Sequence, residues 1–133
     1  MLLLLERDDD ELRRPDDGEL ARQRGQMQAR LALMKADIAV ELVQGDLGIE
    51  ALARRYGLSA RQAQRLFEQD GTTFTEFLLE QRLLLARKML ADPANAWRKI
   101  NDIAYSAGFA DVSYFNRSFR RRFGRTPSDF RRS

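Results

Sequence analysis

Apolar residues recur along most of the chain at the three- and four-residue spacing of amphipathic helices. The first such stretch runs from about residue 19 to 43 without a turn signal. Its apolar stripe consists of Leu31, Met34, Ile38 and Leu42. We therefore predict an all-α protein whose first helix covers the structural unit that follows it.

Two apolar faces separated by a glycine dominate the end of the chain. They consist of Ile100, Ile103, Ala104 and Ala107 in one helix and of Phe115, Phe119 and Phe123 in the next. Gly108 lies between them, where a residue after a helix end often needs the positive φ that glycine adopts without a Cβ clash. The pattern predicts a helix-turn-helix unit over about residues 98–123.

The same pattern occurs once before. Ile49, Leu52, Ala53 and Gly57 precede Ile100, Ile103, Ala104 and Gly108 by 51 positions, and Gln64, Arg65 and Phe67 precede Asn116, Arg117 and Phe119 by 52. An internal repeat of this spacing leaves room for a connecting helix. We predict two helix-turn-helix subdomains, at about 49–69 and 98–123, joined by a long connector helix at about 73–90.

The second helix of each unit presents polar residues on the side opposite its apolar face. These residues are Arg61, Gln64, Arg65 and Glu68 in the first unit and Ser113, Asn116, Arg117 and Arg120 in the second. Amides and guanidinium groups make paired hydrogen bonds to adenine and guanine edges in the major groove. A single copy would fit an ordinary helical hairpin equally well, whereas two matching copies favour the binding of double-stranded DNA.

Charge supports a polyanionic partner. The net charge is +3, but residues 1–20 carry eight acids and three bases, so they contribute −5 and the remainder contributes +8. Cysteine and histidine are absent, which excludes disulfides, Cys/His zinc sites and imidazole bases. We predict no catalytic site, no cofactor and no metal. The short leucine run at residues 2–5 lacks a signal-peptide pattern, and a cytoplasmic location is expected.

The first 18 residues are predicted to be an acidic leader or linker with little order, and residues 19–133 to form the DNA-binding domain. The leucine run within this leader fits either the cut end of an upstream domain or a frayed start.

Aromatic residues near the second unit have two interpretations. Phe109, Tyr114, Phe115, Phe119 and Phe123 could stack on single-stranded bases, but their helical spacing favours a core. Trp97 is expected to pack beneath the loop that precedes this unit.

With these elements placed, the chain resembles the DNA-binding domain of the AraC/XylS family of bacterial transcription regulators over about residues 34–132. The motifs that carry the resemblance are the segment from Ile103 to Pro127, the segment from Gly57 to Phe67, and Gly71, Phe74, Arg82 and Leu83. The resemblance implies seven helices, with two homeodomain-like units that enter successive major-groove segments of promoter DNA. It also implies activation through contact with RNA polymerase.

The resemblance further implies which residues meet DNA. Its base-reading positions fall on Arg61, Gln64, Arg65, Val112, Ser113, Asn116 and Arg117. For phosphate contacts we predict Ser59, Arg82, Lys99, Arg120, Arg121 and Arg125. Two departures are Ala63, where relatives have a larger aliphatic residue, and Leu79, at a connector position that is often basic.

Two other functions fit the same sequence features: a nonspecific architectural DNA binder, and a helical module that binds an acidic protein. Relatives usually carry a sensor domain upstream, so a small-molecule effector is expected only through such a domain.

Overall fold

The computed structural model describes residues 16–44 and 46–133, which form seven α-helices and one 3-10 helix and contain no strand. The helices are α1 (Asp17–Glu41), α2 (Ile49–Arg55), α3 (Ala60–Gln69), α4 (Phe74–Ala91), α5 (Ile100–Ser106), α6 (Val112–Phe123) and α7 (Pro127–Arg132), with the 3-10 helix Pro93–Asn95 after α4. The predicted all-α fold, two helix-turn-helix subdomains on a long connector, is confirmed.

The first helix begins two residues before its predicted start. Asp16 is its N-cap, and the Asp16 carboxylate accepts a hydrogen bond of 2.7 Å from the backbone N–H of Glu19. An aspartate at this position satisfies an N–H that the first helical turn leaves without a partner. The rest of the predicted leader, residues 1–15, lies outside the described residues.

Helix α1 covers the first helix-turn-helix unit, as its apolar stripe predicts. Leu31, Met34 and Ile38 are buried against α2 and α3. A polar contact adds to this packing, because Arg55 donates a hydrogen bond of 2.8 Å to Glu41. This hydrogen bond holds the pKa of Glu41 below its ordinary value and raises the pKa of Arg55.

The buried residues form two separate cores, one for each unit. The first contains Leu31, Met34, Ile38, Leu42, Leu52, Ala53, Leu58, Ala63, Leu66, Phe67 and Leu78, and the second contains Leu83, Ala86, Leu90, Ile103, Ala104, Ala107, Phe109, Phe115 and Phe119. The connector α4 supplies residues to both, and Leu85 packs against both. Each unit therefore has its own apolar interior, and α4 is the element they share.

Helix α4 sets the distance between the two units. Its 18 residues follow the N-cap Thr73, whose hydroxyl accepts a hydrogen bond of 3.0 Å from the N–H of Glu76. At about 1.5 Å per residue it is a rod of roughly 27 Å. Asp92 ends the helix and also caps the 3-10 helix that follows.

The loop before α5 does not have the predicted arrangement, in which Trp97 packs beneath it. Trp97 is 82% exposed, so it does not pack beneath the loop. The loop itself is held by Arg131 of α7, whose guanidinium donates to the carbonyls of Asn95 and Arg98 at 3.0 and 2.5 Å. The carbonyls are therefore directed at α7, and the indole points away from the core.

None of the helices in the described parts of the chain is long and apolar enough to cross a membrane.

Candidate nucleic-acid interface

The candidate recognition helices are α3 and α6, the second helix of each unit. The two turns that precede them have the same backbone hydrogen bonds. The N–H of Leu58 donates to the carbonyl of Ala53, and that of Phe109 donates to the carbonyl of Ala104, each at 3.0 Å. Both turns pass through a glycine of positive φ, 69° at Gly57 and 99° at Gly108. The sequence repeat is therefore a repeat of backbone geometry as well.

The change of spacing from 51 to 52 residues falls at the start of the second recognition helix. Helix α3 begins with the N-cap Ser59 directly after Leu58, whereas Ala110 separates Phe109 from Asp111, the N-cap of α6. Ala110 is thus the additional residue. After it the buried positions match again, because Ala63 and Phe115 are both fully buried.

The structure places the seven predicted base-reading residues on the two recognition helices. Arg61, Gln64 and Arg65 lie on α3, and Val112, Ser113, Asn116 and Arg117 lie on α6. All are exposed except Val112, which is half-buried. Within residues 16–44 and 46–133, none of these side chains forms a hydrogen bond or an ion pair. Their polar groups are therefore available to an external ligand.

Four of the predicted phosphate-contacting residues are exposed cations. Lys99 is the N-cap residue of α5, and Arg120, Arg121 and Arg125 lie on or just after α6. The Arg125 guanidinium donates to the Ser133 hydroxyl at 2.6 Å and lies 5.2 Å from the centre of the Phe130 ring. In a helix-turn-helix the first helix crosses the DNA backbone, and Lys99 lies at the start of that helix in the second unit.

Two further predicted phosphate residues have intramolecular partners. The Ser59 hydroxyl accepts from the N–H of Gln62 at 3.1 Å, while the Gln62 side chain accepts from the N–H of Ser59, so the two form a capping box. Arg82 is half-buried and donates to the carbonyls of Leu42 and Gln44 at 2.7 and 2.9 Å. Burial lowers the pKa of Arg82. These contacts give no support to a phosphate role for Arg82.

A cleft of about 290 Å³ between α4 and α6 combines charges of both signs. On its rim the Arg122 guanidinium donates to both carboxylate oxygens of Glu80, at 2.8 and 2.9 Å. This bond raises the pKa of Arg122. Arg122 also lies 4.9 Å from the centre of the Phe123 ring. One arginine of the basic run is therefore bound within the protein, whereas Arg121 on the same cleft has no ion-pair partner in the described residues.

The aromatic residues divide in a way that their spacing alone did not predict. Phe109, Phe115 and Phe119 are buried, and Phe123 is half-buried. Tyr114 is 42% exposed, although its ring centre lies 6.4 Å from that of Phe109. The core prediction is therefore wrong for Tyr114, which lies one residue from Ser113 on the candidate interface.

Sequence reasoning also missed Asp111. Its carboxylate accepts a hydrogen bond of 3.1 Å from the N–H of Tyr114 and so occupies the N-terminus of α6. The signal was present in the sequence, because aspartate directly before an apolar-periodic run is a common N-cap.

Two helix-turn-helix units on one connector, each with exposed polar side chains on its second helix that have no partner among the described residues, define a bipartite helix-turn-helix domain of the DNA-binding class. A model of the helix-turn-helix domain family matches residues 52–133. The chain therefore belongs to the AraC-type helix-turn-helix family.

Named regulators of transcription are similar to this chain in sequence. The chain is 40% identical over 103 residues to the transcriptional activator RhrA of Rhizobium meliloti, covering 77% of this chain and 32% of that protein. It is 38% identical over 92 residues to the regulatory protein SoxS of Salmonella typhimurium, covering 68% of this chain and 83% of that one. It spans less than a third of another relative, the transcriptional activator NphR of a Rhodococcus species.

Solved structures show the same fold. A transcriptional regulator with an AraC-type DNA-binding domain from Chromobacterium violaceum superimposes with a TM-score of 0.64 at 30% identity, over 84% of this chain and 93% of that one. The C-terminal domain of AraT, a response regulator from Geobacillus stearothermophilus, superimposes with a TM-score of 0.69 at 25% identity, over 77% and 84% of the two chains.

Proposed function

We propose that this protein is a sequence-specific regulator of transcription that binds double-stranded promoter DNA. Helices α3 and α6 enter adjacent major-groove segments, and their exposed side chains contact base edges. The observation that carries the proposal is the repeat of turn, cap and unpaired polar face in two units of one chain. Guanidinium and amide groups of this kind discriminate guanine and adenine in the major groove.

The individual contacts follow from chemistry. Arg61, Gln64 and Arg65 read one half-site. In the other, Asn116 and Arg117 make paired hydrogen bonds, Ser113 donates or accepts, and Val112 contacts a thymine methyl group. Lys99, Arg120, Arg121 and Arg125 bind phosphates and hold the register without reading sequence. The hydroxyl of Ser59, at the start of α3, adds a contact with the DNA backbone.

Activation is the proposed direction of regulation. RhrA and NphR are named transcriptional activators, and an activator of this kind acts by contacting RNA polymerase beside it on the promoter. We assign the protein no catalytic activity and place it in the cytoplasm, where promoter DNA is accessible. We further propose that the DNA-binding domain extends from the start of α1 to the end of the chain.

The proposal is tested by selecting binding sites from randomised duplex DNA at physiological salt. We expect a motif of two conserved blocks whose centres are about ten base pairs apart, one helical turn. A nonspecific architectural protein would enrich no motif, and its binding would fall steeply as salt rises. A module for acidic proteins would bind heparin or a polyacidic peptide as well as it binds duplex DNA. Either result would overturn the proposal.

Base-reading and phosphate-binding arginines are expected to respond differently to substitution. Arg65→Ala and Arg117→Ala should each cost about 1–3 kcal/mol of binding free energy and relax the base preference in one block only. Arg121→Ala should weaken binding to all sequences alike and make the dependence of affinity on salt less steep. Titrations of each variant against the selected site and single-base changes measure both effects. If Arg65→Ala and Arg117→Ala left specificity intact, α3 and α6 would not be the reading helices.

A further inference from the structure

The two halves of the molecule meet at a point that lies beside the connector. The end of α1 belongs to the first unit, and its Leu42 carbonyl accepts a hydrogen bond of 2.7 Å from Nε of Arg82 on α4. The turn of the second unit lies against the same two groups. A Cβ added to Gly108 would stand 2.5 Å from the Leu42 oxygen and 2.8 Å from Arg82 Nε. We call this contact of Leu42, Arg82 and Gly108 the joint.

Arg82 is suited to hold the joint in one geometry. Its planar fork reaches two carbonyls at once, since one Nη donates to Gln44 at 2.9 Å while Nε donates to Leu42. Cations are stabilised at helix C-termini by the aligned carbonyl dipoles, and hydrogen bonds from charged donors are stronger than neutral ones. The fork fixes both the distance and the orientation of the α1 end relative to α4.

The joint adds a restraint to those that the cores supply. Each core packs against α4, which contributes Leu78 to the first and Leu83 to the second, so the two units are otherwise related only through this one helix. The close approach of Gly108 to the Leu42 carbonyl is a second attachment, which links the two units directly. Gly108 permits the close approach because it has no side chain.

We infer that Arg82 is a positioning residue that fixes the spacing of the two DNA half-sites accepted by this protein. The inference rests on the proposed function, in which α3 and α6 bind neighbouring groove segments. One base pair inserted between half-sites rotates one block by about 35° around the DNA axis. Two units held rigidly with respect to each other cannot follow that rotation. The protein then cannot bind both blocks at once, and the gain in affinity from doing so is lost.

The test compares Arg82→Lys with the wild-type protein on selected sites that carry one base pair more or fewer between the blocks. Lysine keeps the positive charge but not the two-pronged geometry. We expect the wild type to lose at least about tenfold in affinity on either altered site, and the variant to lose less than about threefold. Arg87→Lys is the matched control, because Arg87 is an exposed arginine on the same helix and should behave as wild type.

The outcomes separate the joint from a phosphate contact. If Arg82 binds phosphate, lysine substitutes for it and the variant keeps the wild-type penalty for altered spacing, which overturns the inference. If the wild-type protein itself shows no sequence preference, the proposed function fails and the role in spacing fails with it.

A measurement without DNA tests the joint independently. The chain contains no cysteine, so cysteines introduced at Arg54 on α2 and Ser128 on α7 are the only sites that a spin label modifies. Both positions are exposed and lie in different units. Pulsed electron-spin distance measurements should give a narrow distribution when Arg82 is intact and one about twofold or more broader in the Arg82→Lys variant, which lacks the fork. Equal widths in the two proteins would overturn the inference that Arg82 restrains the two units, even if DNA binding were specific.

Discussion

Gly108→Ala is expected to lower the free energy of unfolding by about 3–5 kcal/mol. Two costs combine at this position. Its φ of 99° is one that L residues rarely adopt, and a methyl group there would be 2.5 Å from the Leu42 carbonyl oxygen. The obstacle is backbone at the end of a helix, so it cannot swing aside as a flexible side chain would. Denaturant unfolding of both proteins measures the difference.

Gly57→Ala is the matched control. Gly57 occupies the equivalent turn of the first unit with a φ of 69°, but no atom outside its neighbours lies within 4 Å of an added Cβ. This variant should therefore cost only the conformational part, about 1–2 kcal/mol. Equal losses in the two variants would show that the close approach at Gly108 contributes nothing to stability.

Phe119→Ala is expected to destabilise the protein by about 3–5 kcal/mol, with the loss concentrated in the second unit. Phe119 is fully buried, and its ring centre lies 4.7 to 5.8 Å from those of Phe115, Phe123 and Phe130. Removing it leaves a cavity at the centre of the second core. Because the first core is separate, amides of α5, α6 and α7 should lose hydrogen-exchange protection before those of α2 and α3.

Tyr114→Ala provides the comparison for Phe119, because it removes an aromatic ring from the same helix at an exposed position. Its effect on stability should be much smaller. If Phe119→Ala instead lowered protection equally in all helices, the two units would unfold as a single cooperative body, and the independence of their cores would be wrong.

The repeat and its helices were predictable because they rest on local signals. A glycine between two apolar faces gives the turn, and serine or threonine before a helical run gives the cap. The spacing of Phe115 and Phe119 placed them in the core, where the structure has them. The other candidate base-reading residues were placed on exposed helix surfaces for the same reason, whereas Val112, which shares the side of α6 that carries Phe115, came only from the family resemblance. Their contacts with DNA remain predictions.

The sequence was least informative for residues whose environment depends on distant segments or has no helical period. In the sequence, Arg82 cannot be distinguished from a surface cation. Its hydrogen bonds to carbonyls at the end of α1, about 40 residues earlier, are seen only in the folded structure. Trp97 stands in a loop where there is no periodicity to say whether it is buried. Tyr114 lies at the margin of the apolar face, next to the buried Phe115, where the helical period does not decide between core and solvent.

Because Trp97 is exposed, binding and unfolding can be followed by two different optical signals, tryptophan fluorescence and circular dichroism. It is the only tryptophan of the chain, and its indole is already in water in the native state. Unfolding therefore changes its fluorescence little, and helix content measured by circular dichroism follows stability instead. Any molecule that covers the loop before α5, two residues from Lys99, removes water from the indole and shifts its emission. Wild-type protein thus contains an unlabelled fluorescent probe at the entrance to its second unit.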